Sequence, residues 1–261
     1  MPACYAHYRF GFRVLPRLEP ELVALIRRNR QMYDLGLHGP DFFFYYNPFA
    51  SRNRFNRLGS EIHRLTGREF FSRAARSLKL EPNEAASAYL YGVLAHFSLD
   101  AACHSYVNAK AAEKDVGHIE LETEFDRFLL ELDRKPAPHE QDIFHHIRLE
   151  KKSDAAQIAR FYPKATPHLV MTCFRNMRVL GHAVTAPEGW RRQLIGSGAV
   201  GNTANESMMT IGPNLRCKEL IPELFRRYSQ AERGFPDLAR QLRLHMTRSE
   251  KLGESFDLIF G

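Results

Sequence analysis

The run from Tyr89 to His104, YLYGVLAHFSLDAACH, constrains the fold more than any other stretch. It is apolar on nearly every side, yet it sets His96, Asp100 and His104 at i, i+4 and i+8. On a helix turning about 100° per residue, those three side chains fall within an arc of about 80°. Pro82 and Asn83 open this helix, predicted over 84–108. A carboxylate between two histidines and among Tyr89, Leu90, Val93, Leu94, Phe97 and Leu99 is costly unless it is paired or bound to metal. Gly92, one turn before His96, marks a close approach by another backbone or a ligand. HIELE then repeats the four-residue spacing with His118 and Glu122. Imidazole and carboxylate suit zinc, and a catalytic zinc takes three protein ligands plus an open position, so five candidates imply at least two ions. Hydrogen-bonded His–Asp pairs are the structural alternative.

Apolar residues recur at helical spacing through most of the chain, and no run sustains the period-two alternation of a half-buried strand. The expectation is an all-α, single-domain multi-helix bundle spanning 1–261. Helices are predicted over 19–34, 53–65, 68–79, 84–108, 118–133, 139–151, 154–161, 166–184, 217–232 and 236–258. Residues 36–52 read as a loop carrying the aromatic run Phe42 to Tyr46. The glycine-rich stretch 187–215 is the longest candidate loop, and loops of that length are usually functional or mobile. Lys135-Pro136-Ala137-Pro138 reads as a turn rather than a domain boundary.

The formal net charge of +7 favours anionic partners: phosphate esters, acidic lipid surfaces contacted peripherally, or, less favoured, nucleic acid. Cys4, Cys103, Cys173 and Cys217 lack CxxC spacing and read as reduced thiols. The first 20 residues hold no secretory apolar core, and no stretch approaches the roughly 20 apolar residues of a membrane span. On these grounds the chain is expected to be cytoplasmic, unless a leader was removed.

Upstream, Gly39-Pro40-Asp41 places a carboxylate in a stiff turn, His63 lies on the next helix, and Cys4 and His7 are competent ligands near the start. The remaining histidines, among them His38, show no comparable grouping, and the adjacent His145 and His146, which would point apart on a helix, read as non-ligands.

His7, GPDFFFY with Asp41, His63, HFSLDAACH and HIELETEFD, in that order, resemble the bacterial zinc-dependent phospholipase C family. The resemblance implies an all-α fold with two or three clustered zinc ions. One zinc would be held by Asp41, His63, His96 and Asp100, and a second by His104, His118 and Glu122. A third would use His7, the amino-terminal amine and carbonyl, and Asp100 as a bridge. Secreted members have a longer loop between that Asp and the next His, and start with a tryptophan. Here Asp100 and His104 are one helical turn apart, and the sequence starts Met1-Pro2. Phe42 stands where the family places an aromatic against a choline head group, a contact worth about 0.5–2 kcal/mol.

Clustered divalent ions suit in-line attack on a phosphoester, with a hydroxide between two metals as nucleophile and Asp41 as ligand and candidate general base. The expected activity is therefore a phospholipase C-like phosphodiesterase acting on a phospholipid head group or related ester. The alternatives are a nuclease or nucleotidase like the related trinuclear zinc nucleases, and a non-catalytic, metal-stabilised helical protein that binds anionic lipid.

Overall fold

The computed structural model describes residues 4–47, 53–114, 116–185, 189–197 and 201–261. Among these residues the chain is all-α, with no strand. In chain order the helices are α1 (Cys4–Val14), α2 (Pro20–Arg28), α3 (Arg30–Gly36), α4 (Arg54–His63), α5 (Gly67–Leu80) and α6 (Glu84–Lys114). They continue with α7 (His118–Leu132), α8 (Lys152–Ala159), α9 (Pro167–Val184), α10 (Trp190–Gly196), α11 (Asn202–Ser207) and α12 (Ile221–Arg248). No helix among the described residues is long and apolar enough to cross a membrane.

Helix α6 is the axis of the molecule. It is apolar all round over its first half, so every face from Tyr89 to Asp100 is buried, and α1, α3, α5, α7, α8 and α12 pack around it. The closest crossing is with α3. There the Cα atoms of Gly36 and Gly92 face each other, and a Cβ on Gly92 would lie 2.2 Å from the Tyr33 carbonyl oxygen. Gly92 therefore serves backbone approach.

Helix α1 carries no capping signal in its own sequence. The free N–H groups of Tyr5 and Ala6 in its first turn donate to the Asp126 carboxyl on α7 at 2.9 and 2.8 Å. A cap supplied from 120 residues away leaves no local trace, which is why the periodicity did not reveal this helix.

Four predicted helices take a different form, and the loop expected over 187–215 contains the short helices α10 and α11. The helix expected over 19–34 is broken at Asn29, whose side chain donates to the Leu25 carbonyl and competes with the backbone ladder. Residues 139–151 form only a 3₁₀ turn, Pro138–Glu140, followed by irregular chain. Ala137 is left-handed at φ 41°, and the Asp142 carboxylate captures the Phe144 N–H, so the first helical turn never closes. The two helices expected over 217–232 and 236–258 are one, α12, which runs through Pro236. That proline deprives the Glu232 carbonyl of its helical donor, and the Arg17 guanidinium bonds to the carbonyl instead.

Beyond α12 the chain turns at Ser249 (φ 60°) and returns along α5. Leu258 O accepts from Gly67 N, Phe260 N donates to Leu65 O, and Gly261 N donates to His63 O. Phe256 and Phe260 are fully buried against Phe71 and Phe97. This return brings Gly261 to the candidate site.

Candidate metal centre

The α6 stripe, α1, the Asp41 turn, α4 and α7 converge on one cavity of about 530 Å³. His7, Asp41, His63, Asp100, His104, His118 and Glu122 line it, and His96 lies fully buried beneath. The structure thus brings together all eight residues singled out in the sequence. Asp100 sits at the middle. Its Oδ1 is 3.1 Å from His7 Nε2, and its Oδ2 is 3.2 Å from His96 Nε2 and 3.9 Å from His104 Nδ1. Asp41 Oδ1 is 3.0 Å from His63 Nε2, and Glu122 Oε1 is 3.3 Å from His118 Nε2.

Potential ligand atoms fall into three clusters, each within 4.8 Å: Asp41, His63 and His96; His7, His96 and Asp100; His104, His118 and Glu122. The His7 and His96 rings stack at 4.4 Å between centroids. Gly39, at φ 47°, lets the turn before Asp41 lie flat on His96, because a Cβ there would meet the ring at 2.2 Å.

The imidazoles are oriented from behind. His96 Nδ1 lies 3.3 Å from Leu37 O, His63 Nδ1 2.7 Å from Gly59 O, and His118 Nδ1 2.9 Å from Asn108 Oδ1. With Nδ1–H donating to oxygen, each Nε2 faces the carboxylates, free to take a proton or, once deprotonated, a metal, the arrangement that metal-binding histidines use. At this site two buried nitrogens, His7 Nδ1 and His96 Nε2, have no hydrogen-bond partner among the described residues. His96 Nε2 is close to Asp100 without being aimed along a hydrogen bond to it. The donor set and these orphaned atoms fit zinc.

Electrostatics point the same way. Burial works to raise the carboxyls of Asp41 and Asp100, but the neighbouring imidazoles, His96 foremost, hold both below the ordinary range. Burial works to lower His96, yet Asp100 and Asp41 push it up to about 9, and His63 is raised by Asp41 in the same way. His104, with weaker partners, is lowered by burial. The two buried carboxylates thus demand positive charge, which protons supply in the metal-free chain.

Phe42 corrects the sequence reading. It is fully buried, packed on Phe43, Phe174 and Tyr162, and it offers no face to a head group. The 3₁₀ turn Asp41–Tyr45 rotates the run so that Phe44 reaches the cavity, 5.6 Å from the His63 ring. The sequence also gave no signal for the cavity wall formed by Ser60, Arg64, Ile119 and Gly261, nor for Asn108 behind His118. The amino-terminal amine expected at the third site lies outside the described residues.

Phe44 also lines a neighbouring cavity of about 290 Å³, whose wall includes Phe144, Leu180, Val184 and Met209. The metal cavity thus borders an apolar one across a single aromatic ring.

No curated protein and no solved structure matches this chain. Residues 6–173, which contain all eight clustered residues, match the family described as zinc-dependent phospholipase C. The chain belongs to the zinc-dependent phospholipase C family.

Proposed function

We propose that this protein hydrolyses the phosphodiester of an amphiphilic substrate, a phospholipid or a close chemical relative, at the Asp100-centred cluster. The observation that carries this reading is the cluster's arrangement: one buried carboxylate shared among three histidines, beside oriented imidazoles and an apolar cavity.

In this reading Asp41, His63, His96 and Asp100 would hold one zinc, His104, His118 and Glu122 a second, and His7 with Asp100 a third. Bound zinc would supply Lewis acidity, lowering the pKa of a water toward about 7 and neutralising charge on the phosphoryl and leaving oxygens. The protein's own groups do the rest. Asp100 would fix the spacing of the first and third sites, and Asp41, a ligand in this reading, is the candidate general base. Arg64 at the rim draws the phosphate in. Phe44 forms the wall between the head-group and apolar compartments, taking the role expected of Phe42.

The apolar cavity favours a lipid over a nucleic acid, whose sugar and base would leave it unfilled. The test is turnover on phosphatidylcholine micelles, a short water-soluble phosphodiester and single-stranded DNA. Lipid should be preferred, Asp100→Asn should abolish turnover together with zinc content, and Phe44→Ala should raise KM for lipid alone. Preference for DNA would replace this reading with the nuclease, and turnover by a zinc-depleted Asp100→Asn variant would refute the mechanism.

A further inference from the structure

We propose that Cys4, His38 and His146 form a separate buried metal site that holds a single thiophilic ion, zinc in the native protein. Cys4 opens α1, His38 lies in the turn between α3 and Asp41, and His146 lies in the irregular chain after Pro138. Their ligand atoms lie within 4.8 Å of one another although the residues are scattered along the sequence. Thiolate and neutral imidazole are zinc's preferred donors.

The group is poorly satisfied by protein contacts alone. His38 Nε2 and His146 Nε2 face each other at 2.8 Å, so the two rings can share only one proton between these atoms. Among the described residues His146 Nδ1 is buried with no hydrogen-bond partner, and the Cys4 thiol donates to Ile143 O at 3.4 Å. Burial keeps both imidazoles neutral, with their lone pairs available, pushing His38 down to about 3. The Cys4 thiol is pushed up by burial and then by Asp126, Asp142 and Asp41. Tyr8 stacks on His146 at 4.0 Å and closes that side.

With exposures of 1%, 2% and 8%, the three residues admit an ion during folding rather than by exchange. Their union would pin α1, the turn leading to Asp41 and residues 141–151 together, making the site structural. It does not depend on the hydrolytic reading, since the Asp100 cluster contains no thiolate.

X-ray absorption on the intact zinc protein should show a sulfur scatterer at the Zn–S distance of about 2.3 Å. Protein made with cobalt as the only added transition metal should show a thiolate-to-cobalt charge-transfer band. The band should vanish in Cys4→Ser, with one ion fewer per chain, and persist in Cys103→Ser, the thiol nearest Asp100. Absence of sulfur scattering in the wild-type protein would overturn the proposal without any variant. So would a band that follows Cys103, or an unchanged ion count in a folded Cys4→Ser.

Discussion

Replacing Gly92 with alanine should part α3 from α6 and disable a metal site whose residues the substitution does not touch. The new Cβ would lie 2.2 Å from Tyr33 O and 2.8 Å from Gly36 Cα, where ordinary contact begins near 3.4 Å. Neither neighbour is a flexible side chain, so the helices must separate by about 1 Å. Overpacking of this kind costs about 1–3 kcal/mol. In a chain of this length that lowers Tm by on the order of 5 °C. The larger effect falls on the metal. Helix α3 leads through His38 and Gly39 into Asp41, while α6 carries His96 and Asp100. Zinc distances tolerate about 0.2 Å, so a shift of about 1 Å pulls Asp41 out of reach of an ion held on α6.

The assay is thermal unfolding of chelated and zinc-loaded protein, with zinc counted per chain. Gly92→Ala should lower Tm in both forms, more in the loaded one, because binding no longer adds its full share of stability. Gly234→Ala on α12, where an added Cβ meets nothing within 4 Å, is the matched control and should leave both forms near wild type. Full zinc content and a wild-type Tm in Gly92→Ala would refute the reasoning.

Removing the Asn108 carboxamide frees the His118 ring, so Asn108→Ala should weaken zinc at the His104, His118 and Glu122 cluster by about 10–100-fold in a chelator competition. Asp126→Ala strips the cap from α1 and should cost about 0.5–2 kcal/mol in denaturant unfolding, while loosening His7 from Asp100. The chelated protein should lose stability with rising pH. His96 has a folded pKa raised to about 9, so its contribution is complete below its ordinary value near 6.5 and lost as pH climbs through 9. A melting series over that window should slope downward without zinc. The slope should vanish with zinc bound, and a flat series for the chelated protein would contradict the electrostatic account.

The candidate site was legible because its chemistry is written at short range. His96, Asp100 and His104 declare a helical stripe, and His118 with Glu122 a second, so spacing alone placed five residues. His7, Asp41 and His63 became visible only through the order they share with a family, since a lone histidine or a turn aspartate means little by itself. What stayed hidden depends on partners remote in sequence. Helix α1 is capped by Asp126, and the Glu232 carbonyl freed by Pro236 is served by Arg17. Phe42 and Phe44 differ only by rotation along a 3₁₀ turn, which no pattern of five aromatics specifies. His38 and His146 looked like isolated histidines because 108 residues separate them.

The most direct test of the central claim is anomalous diffraction at the zinc edge from crystals of the zinc-loaded protein. Apart from the ion at the separate Cys4, His38 and His146 site, the account predicts one peak among Asp41, His63, His96 and Asp100, another among His104, His118 and Glu122, and a third between His7 and Asp100. Peaks placed elsewhere, with these eight side chains contacting only one another, would contradict it.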